Sequence, residues 1–307
     1  MVAVHSRTKE RAAAFAQAHG GKPYDDYFAL LADPRVDAVY IASEPHRHPE
    51  QAIAAARAGK HAIVERPMAT TVAGCHRMIQ AARSAGTHLA IAHVLRFHPK
   101  TIKLKQLLSE SAVGLVVCGR VLHTRLYNPQ PDEPGYWRVV ASRSGGGPTQ
   151  DEGSDRLDAL CFLLGAPREV TAYCSTTTMP YDVEDSMAML VRFATGAQIS
   201  CHFQWNIPVA RDNFELFGTE GAIISTPFSG NDLILCTSGG DIRHEFRPPA
   251  NAHLPLIADF VQRLLAGEPP ACPADETLAT YQIINAAYES ARTRQSVKIE
   301  AEPEATL

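Results

Sequence analysis

Apolar and polar residues alternate in blocks along the first hundred positions. VAV at 2–4 is a short apolar run. The polar break His5-Ser6-Arg7 and the alanine-rich stretch TKERAAAFAQAH follow it, and Gly20-Gly21 can end that stretch. The pattern predicts strand, loop and helix, with Thr8 or Ser6 as the N-cap. YDDYFALLADPRV predicts a short helix ending near Asp33-Pro34. DAVYIAS, HAIVE and THLAIAH predict three further strands. Between them, HRHPEQAIAAARAGK and TVAGCHRMIQAARSAG predict helices closed by Gly59 and Gly86.

Short apolar strands alternating with helices imply a parallel sheet covered on both faces and wound right-handedly. Ligands of such sheets gather beyond the C-terminal strand ends. Here those ends are His5-Ser6-Arg7, Ser43-Glu44-Pro45, Glu65-Arg66-Pro67 and the stretch from His93 to Arg96. A dinucleotide-binding sheet would open with a strand, a GxGxxG turn and a helix. No GxGxxG occurs in the sequence; the nearest glycine runs are Gly20-Gly21 and Gly145-Gly146-Gly147.

After a linking helix in TIKLKQLLSESAVG the pattern changes. VCGRVLHTRL, REVTAYCSTTT, DSMAMLVRFATG, AQISCHFQWNI, DNFELFGTEG and NDLILCTSGG are separated by turn residues. In DSMAMLVRFATG, Met187, Met189, Val191 and Phe193 alternate with Ser186, Ala188, Leu190 and Arg192, the period of a strand with one buried face. ATGAQ reads as a hairpin turn. EGSDRLDALCFLLG reads as a helix with an apolar stripe. Asp151, Asp155 and Asp158 fall four and three apart, on one face of such a helix. A solvated acidic face is the simpler reading; acid–base work or a divalent ion is the functional one. Two helices, LPLIADFVQRLLAG and DETLATYQIINAAYESARTRQ, and a short strand VKI close the pattern before a polar tail.

Composition narrows the function. The net charge of -4 and the lack of a basic block give no electrostatic case for nucleic acid. No apolar run approaches the length of about eighteen residues that a membrane span needs, and no secretory leader is recognisable. Seven cysteines without a CxxC fit free thiols in a reducing compartment, hence a cytoplasmic protein with no cysteine-bound metal.

As a set, VYIASEPHRHPEQAIAAARAGKHAIVERPMA, AHVLRFHP, YWR at 136–138, GGGPTQDEGSDRLD and FELFGTEG resemble the landmarks of the glucose–fructose oxidoreductase / inositol dehydrogenase / MocA family, from residue 2 to about 299. The resemblance implies an α/β fold: an N-terminally incomplete Rossmann-like parallel sheet over 1–100, a C-terminal α/β domain with a mostly antiparallel open sheet over 101–300, and a flexible tail at 301–307. It identifies VAV with the family's second strand. The first strand, glycine loop and first helix, roughly 25–30 residues, would then precede Met1. In the order 3-2-1-4-5-6, the second and fourth strands should be adjacent or separated by a gap.

The resemblance implies a hydride transfer between NADP or NAD and a sugar, cyclitol or related alcohol in the cleft between the domains, with copies of the chain associating through the open sheet. Ser6 and Arg7 stand where the adenosine ribose is read; a hydroxyl and a guanidinium suit a 2′-phosphate and favour NADP. Ser43, His48, Glu65 and Pro67 complete the implied cofactor set, with Pro67 shaping its turn. Arg66 replaces the family lysine and keeps its charge without its tunable pKa. Asp151 matches an acid that contacts substrate, and Asp155 stands where a proton-transferring histidine is usual. As a base, Asp155 needs burial or Asp151 to raise its pKa. His93 and Arg96 are implied to face the substrate, and Asp158 to orient the helix. The departures at Arg66 and Asp155, with the absent glycine loop, leave three readings open. They are an NADP-linked oxidoreductase, a non-catalytic sugar- or nucleotide-sensing relative, and a lyase or isomerase using Asp151 and Asp155.

Overall fold

The computed structural model describes residues 1–300, so the tail expected at 301–307 lies outside the described residues. The chain runs β1 (Ala3–His5), α1 (Lys9–His19), β2 (Lys22–Tyr24), α2 (Tyr27–Leu31), β3 (Ala38–Ile41), α3 (His48–Arg57), β4 (His61–Val64), α4 (Val72–Ala85) and β5 (Leu89–Ile91). It continues with α5 (Pro99–Ser109), β6 (Val116–Leu126), α6 (Ala141–Ser144), α7 (Ser154–Leu164), β7 (Pro167–Ser175), β8 (Ser186–Phe193), β9 (Gln198–Gln204) and β10 (Asn206–Gly218). β11 (Gly221–Ser225), β12 (Asp232–Thr237), β13 (Gly240–Glu245), α8 (Leu254–Ala266), α9 (Ala274–Thr293) and β14 (Val297–Lys298) complete it.

Local chemistry sets these ends. Thr8 caps α1 by accepting the Arg11 N–H, and Thr71 caps α4 by accepting that of Gly74. Asp26 caps α2 through the N–H groups of Phe28 and Ala29. Gly86 stops α4 in the left-handed region at φ 64°.

The parallel strands form two sheets, not one. β3, β4 and β5 pair in that order, while β1 pairs only with β2. Among the described residues no strand joins β1 to β3, so the expected gap is present. Across the gap the two sheets share an apolar cluster of Ala3, Tyr24, Leu30, Leu31, Val36, Val39 and Ala55, and Arg7 beyond β1 reaches Glu44 beyond β3. Strand β2 was not expected: Lys-Pro-Tyr has no apolar run, and its ladder with β1 defines it.

The C-terminal domain is built on a nine-stranded sheet of order β13-β12-β11-β10-β6-β9-β8-β7-β14. It is antiparallel except at β6–β9. The β8–β9 hairpin forms at the expected turn, pairing Arg192 with Gln198. Met187, Met189, Val191 and Phe193 are buried, as the alternation predicts. Buried residues of α7 and α9 (Leu157, Leu160, Leu278, Ile283, Ile284) join them in one core cluster. On the opposite face Tyr173 and Leu190 are exposed. All seven cysteines are free, and four are buried. Among the described residues no helix is long and apolar enough to cross a membrane.

Candidate active site

The glycine run explains how the C-terminal domain reaches the strand ends of the first. A Cβ on Gly145 would lie 2.8 Å from Thr70, one on Gly146 2.1 Å from the Tyr288 hydroxyl, and one on Gly147 2.0 Å from the Glu184 carbonyl oxygen. The backbone passes where no side chain fits. Buried Glu184 holds it there. Its carboxylate accepts the N–H of Gly147 at 2.7 Å, the N–H of Thr149 at 3.2 Å and the Tyr288 hydroxyl at 2.9 Å. A π-helical turn over Thr149–Gly153 then delivers Asp151 and Glu152, and α7 carries Asp155 and Asp158.

These acids are not a solvated face. Arg66, at the end of β4, places Nη1 2.5 Å from Asp151 Oδ1 and Nε 2.7 Å from Asp155 Oδ2. Arg138 Nε lies 3.0 Å from the second Asp151 oxygen. Glu152 pairs with Arg125 at 2.5 Å and accepts the Trp205 indole N–H at 2.7 Å. The cluster thus joins both domains, with the Arg66 side chain 25% and Asp151 14% exposed. Among the described residues no group of three or more His, Cys, Asp or Glu side chains is arranged to hold a metal.

Electrostatics corrects the expectation for Asp155. Its burial raises the carboxyl pKa, but Arg66 and a hydrogen bond with His93 outweigh that and hold it at about 2. Burial opposes the Arg66 charge, and Asp155 and Asp151 overcome that and raise its pKa. Burial, followed by the charge of Asp151, raises Glu152. Asp155 is therefore an ionised anchor for Arg66 and has no raised pKa to act as a base.

The sites implied for substrate contact divide. Asp151, Asp155 and Arg66 come together. His93 is fully buried behind them, with Nδ1 3.3 Å from Asp155 Oδ1 and Nε2 3.0 Å from the Tyr281 hydroxyl. Arg96 is buried too, its fork filled by Asp158 through two bonds of 2.8 Å. Neither offers a free polar group to a substrate; both tie the end of β5 to α7.

Of the implied cofactor set, Arg7 is exposed and reaches Glu44 at 3.3 Å. Ser43 donates to Gln51 at 2.5 Å. Glu65 accepts the Tyr40 hydroxyl at 2.6 Å and lies 3.0 Å from His253. Pro67 follows a cis peptide bond. His48 is buried away from solvent, its ring nitrogens 2.9 Å from the Ser43 carbonyl and 3.0 Å from that of Pro67. It braces the two loops, with both ring nitrogens engaged by backbone carbonyls. Sequence reading missed Arg125, Arg138 and Glu152 as site residues. Arg138 sits in the YWR motif and Glu152 beside Asp151, so both were within reach of a motif reading. A broad surface hollow lined by Phe28, Leu31, Ile53 and Arg57 lies apart from the cluster and shares no residue with it.

Comparison with known proteins fits this architecture. The model for the oxidoreductase family with an NAD-binding Rossmann fold matches residues 1–93, and that for the Gfo/Idh/MocA C-terminal domain matches residues 101–224. The chain belongs to this family. It is 31% identical to 1,5-anhydro-D-fructose reductase of Ensifer adhaerens, over 98% of this chain and 91% of that one. Among solved structures it resembles aldose-aldose oxidoreductase from Caulobacter crescentus complexed with glycerol, at TM-score 0.89 and 27% identity, covering 97% of this chain and 91% of that one. It also resembles levoglucosan dehydrogenase in complex with NADH and levoglucosan, at TM-score 0.89 and 25% identity, covering 98% of this chain and 90% of that one.

Proposed function

We propose that this protein is an NADP(H)-dependent oxidoreductase acting on a sugar, cyclitol or related alcohol or carbonyl in the cleft between its domains. The observation that carries the reading is the Arg66–Asp151–Asp155 cluster, assembled from both domains at the end of β4. Family membership and the sugar-directed names of the relatives support the substrate class.

The fit to a dinucleotide is uneven. Half-buried Ser6 and exposed Arg7 suit a 2′-phosphate, and Ser43, Glu65 and Pro67 stand at neighbouring strand ends. The sequence carries no GxGxxG, and β1 is not paired to β3. When bound, the nicotinamide would supply or accept the hydride, and the accompanying hydroxyl proton would pass from or to solvent water. In this reading Arg66 orients a substrate oxygen through its fork. Asp151 accepts a hydrogen bond from a neighbouring substrate hydroxyl. Asp155 keeps Arg66 in place, and His93 fixes Asp155 from behind. Domain 1–100 would hold the cofactor and domain 101–300 the substrate. Copies of the chain would associate through the sheet face that exposes Tyr173 and Leu190. Free thiols throughout support a cytoplasmic setting.

One observation favours the second reading, a non-catalytic sugar- or nucleotide-sensing relative. Asp155 is held near 2 and Arg66 is raised, so neither exchanges a proton near neutrality. The test is NADPH titration followed by turnover against a panel of aldoses, cyclitols and their ketones. NADPH binding with turnover supports the oxidoreductase. Binding of sugar or nucleotide without turnover supports the sensor. No NADPH binding at millimolar concentration sinks the first reading.

A further inference from the structure

Three elements that share no hydrogen-bonded ladder meet at one carboxylate. Glu44 follows β3, in the turn before α3. Its Oε1 accepts Arg143 Nη2 at 2.6 Å, and its Oε2 accepts Arg143 Nε at 2.7 Å. Arg143 belongs to α6, in the C-terminal domain. Arg7, just beyond β1, places Nη1 3.3 Å from the same Oε1. His46 Nδ1 stands 3.7 Å from Oε2. The Glu44 side chain is 14% exposed, against 58% for Arg7 and 36% for both Arg143 and His46. One acid therefore sits inside a ring of bases that open to solvent.

The charge count is unbalanced. Two guanidiniums face one carboxylate, with an imidazole beside them. The hydrogen bonds from Arg143, ahead of the opposing effect of burial, hold the Glu44 carboxyl below its ordinary value, so the acid is ionised at neutral pH. A guanidinium fork binds carboxylate and phosphate with the same geometry. A phosphate monoester brings three acceptor oxygens and a charge near minus two, about twice that of a carboxylate. It satisfies two guanidiniums better than Glu44 does. Exchange needs no movement of the domains, because Glu44 lies in a turn and its side chain can rotate outward.

We propose that Glu44 is a resident counter-ion in a phosphoanion site formed by Arg7 and Arg143, and that the 2′-phosphate of the cofactor displaces it. The inference rests on the NADP reading above and adds a residue of the second domain to it. Glu44 acts as a threshold. A dinucleotide without the 2′-phosphate carries no phosphate monoester to extract the carboxylate from between the arginines, so NAD(H) is disfavoured by the retained acid as well as by the missing contact.

The test uses the full chain and two probes without nicotinamide, 2′,5′-ADP and 5′-AMP, titrated calorimetrically at low ionic strength. The proteins are wild type, Glu44→Gln and the double variant Glu44→Gln/Arg143→Met. Removing the competing charge should tighten 2′,5′-ADP about five- to tenfold and leave 5′-AMP unchanged. Adding Arg143→Met should abolish the gain. Equal 2′,5′-ADP affinity in wild type and Glu44→Gln overturns the proposal. So does an equal gain for 5′-AMP, or a failure of all three proteins to bind 2′,5′-ADP. Thermal melting checks that Glu44→Gln is folded. If it is not, Glu44→Asp, too short to span both arginines, should give a smaller gain of the same sign, and no gain there overturns the proposal. Because the probes carry no hydride, a gain for 2′,5′-ADP without any sugar turnover rejects the oxidoreductase reading and leaves this site standing. Turnover with NADPH but no gain rejects only this site.

Discussion

Arg66 and Asp155 are joined at 2.7 Å, Nε to Oδ2, one from the end of β4 and the other from α7. The pair holds its charges in a fixed state. Asp155 sits near pKa 2 and Arg66 above its ordinary value, each stabilising the ionised form of the other.

The first prediction concerns proton transfer. Between pH 5 and 9 neither group titrates, so alcohol oxidation by the wild type should show no ionisation from this pair. Asp155→His introduces a group that titrates near 6.5, and oxidation should then rise as pH passes through that value. A tuned base is worth about 10²- to 10⁴-fold; the low end of that range is expected at pH 8, because Arg66 stays fixed. A pH–rate profile of both proteins checks this, and an unchanged flat profile in the variant refutes it.

Acid stability follows from the same pair. The folded carboxyl of Asp155 lies below its unfolded value of 3.8. Its contribution is therefore complete above about pH 4 and disappears as pH falls toward 2. Wild type should exceed Asp155→Asn in stability at pH 6, and the difference should close on acidification. Urea melts at several pH values measure it. A gap that widens as pH falls contradicts the assignment.

Glu184 and the glycines should act as one unit. Glu184→Ala leaves the Gly147 and Thr149 N–H groups and the Tyr288 hydroxyl without their acceptor. Destabilisation of about 3 kcal/mol is expected, at the cost of one to three for each buried group left unpaired. Gly147→Ala should be comparably harmful, since its Cβ would stand 2.0 Å from a backbone oxygen. Gly165→Ala meets no atom within 4 Å. It carries only the strain of its positive φ, so it should cost less. Denaturant titration of the three variants ranks them.

Asp158 and Arg96 form a buried pair closed by two bonds of 2.8 Å. Asp158→Ala leaves the buried guanidinium only its 3.2 Å bond to Glu276 and should cost about 3 kcal/mol, the low end for breaking a buried pair. Replacing both residues with apolar side chains should cost less than that single change. A double-mutant cycle in urea decides the point.

Much of the architecture was legible in the sequence. β3, β4 and β5 are apolar runs bounded by turn residues, and β8 shows its buried row in plain alternation. β2, β11 and β13 escaped notice for different reasons. β2 is exposed at Lys22 and Pro23, and proline is unusual in a strand. β11 is a short strand close behind β10 and shows no clean alternation. In β13 every residue is exposed except half-buried His244, and its strand character comes from pairing with β12. The acids show the same limit. Their spacing placed Asp151, Asp155 and Asp158 near one another but said nothing of Arg66 or Arg96, which reach them from a distant part of the chain. A sequence window contains the charges of its own helix and not those of its spatial neighbours. The solvated-face reading failed for that reason.

The separation of β1 from β3 has a consequence for amide exchange. Only Ala12 of α1 is buried, and the β1–β2 ladder spans three residue pairs. That unit is fastened by a small apolar cluster and, at its open end, by Arg7. Opening of such a piece requires far less free energy than opening the sheet interior. Backbone deuterium uptake should therefore be rapid over residues 1–25 and slow in β4 and β8. A ligand that grips Arg7 would slow the uptake in this distant-looking terminus, so that binding is read out as protection of a strand the ligand never touches.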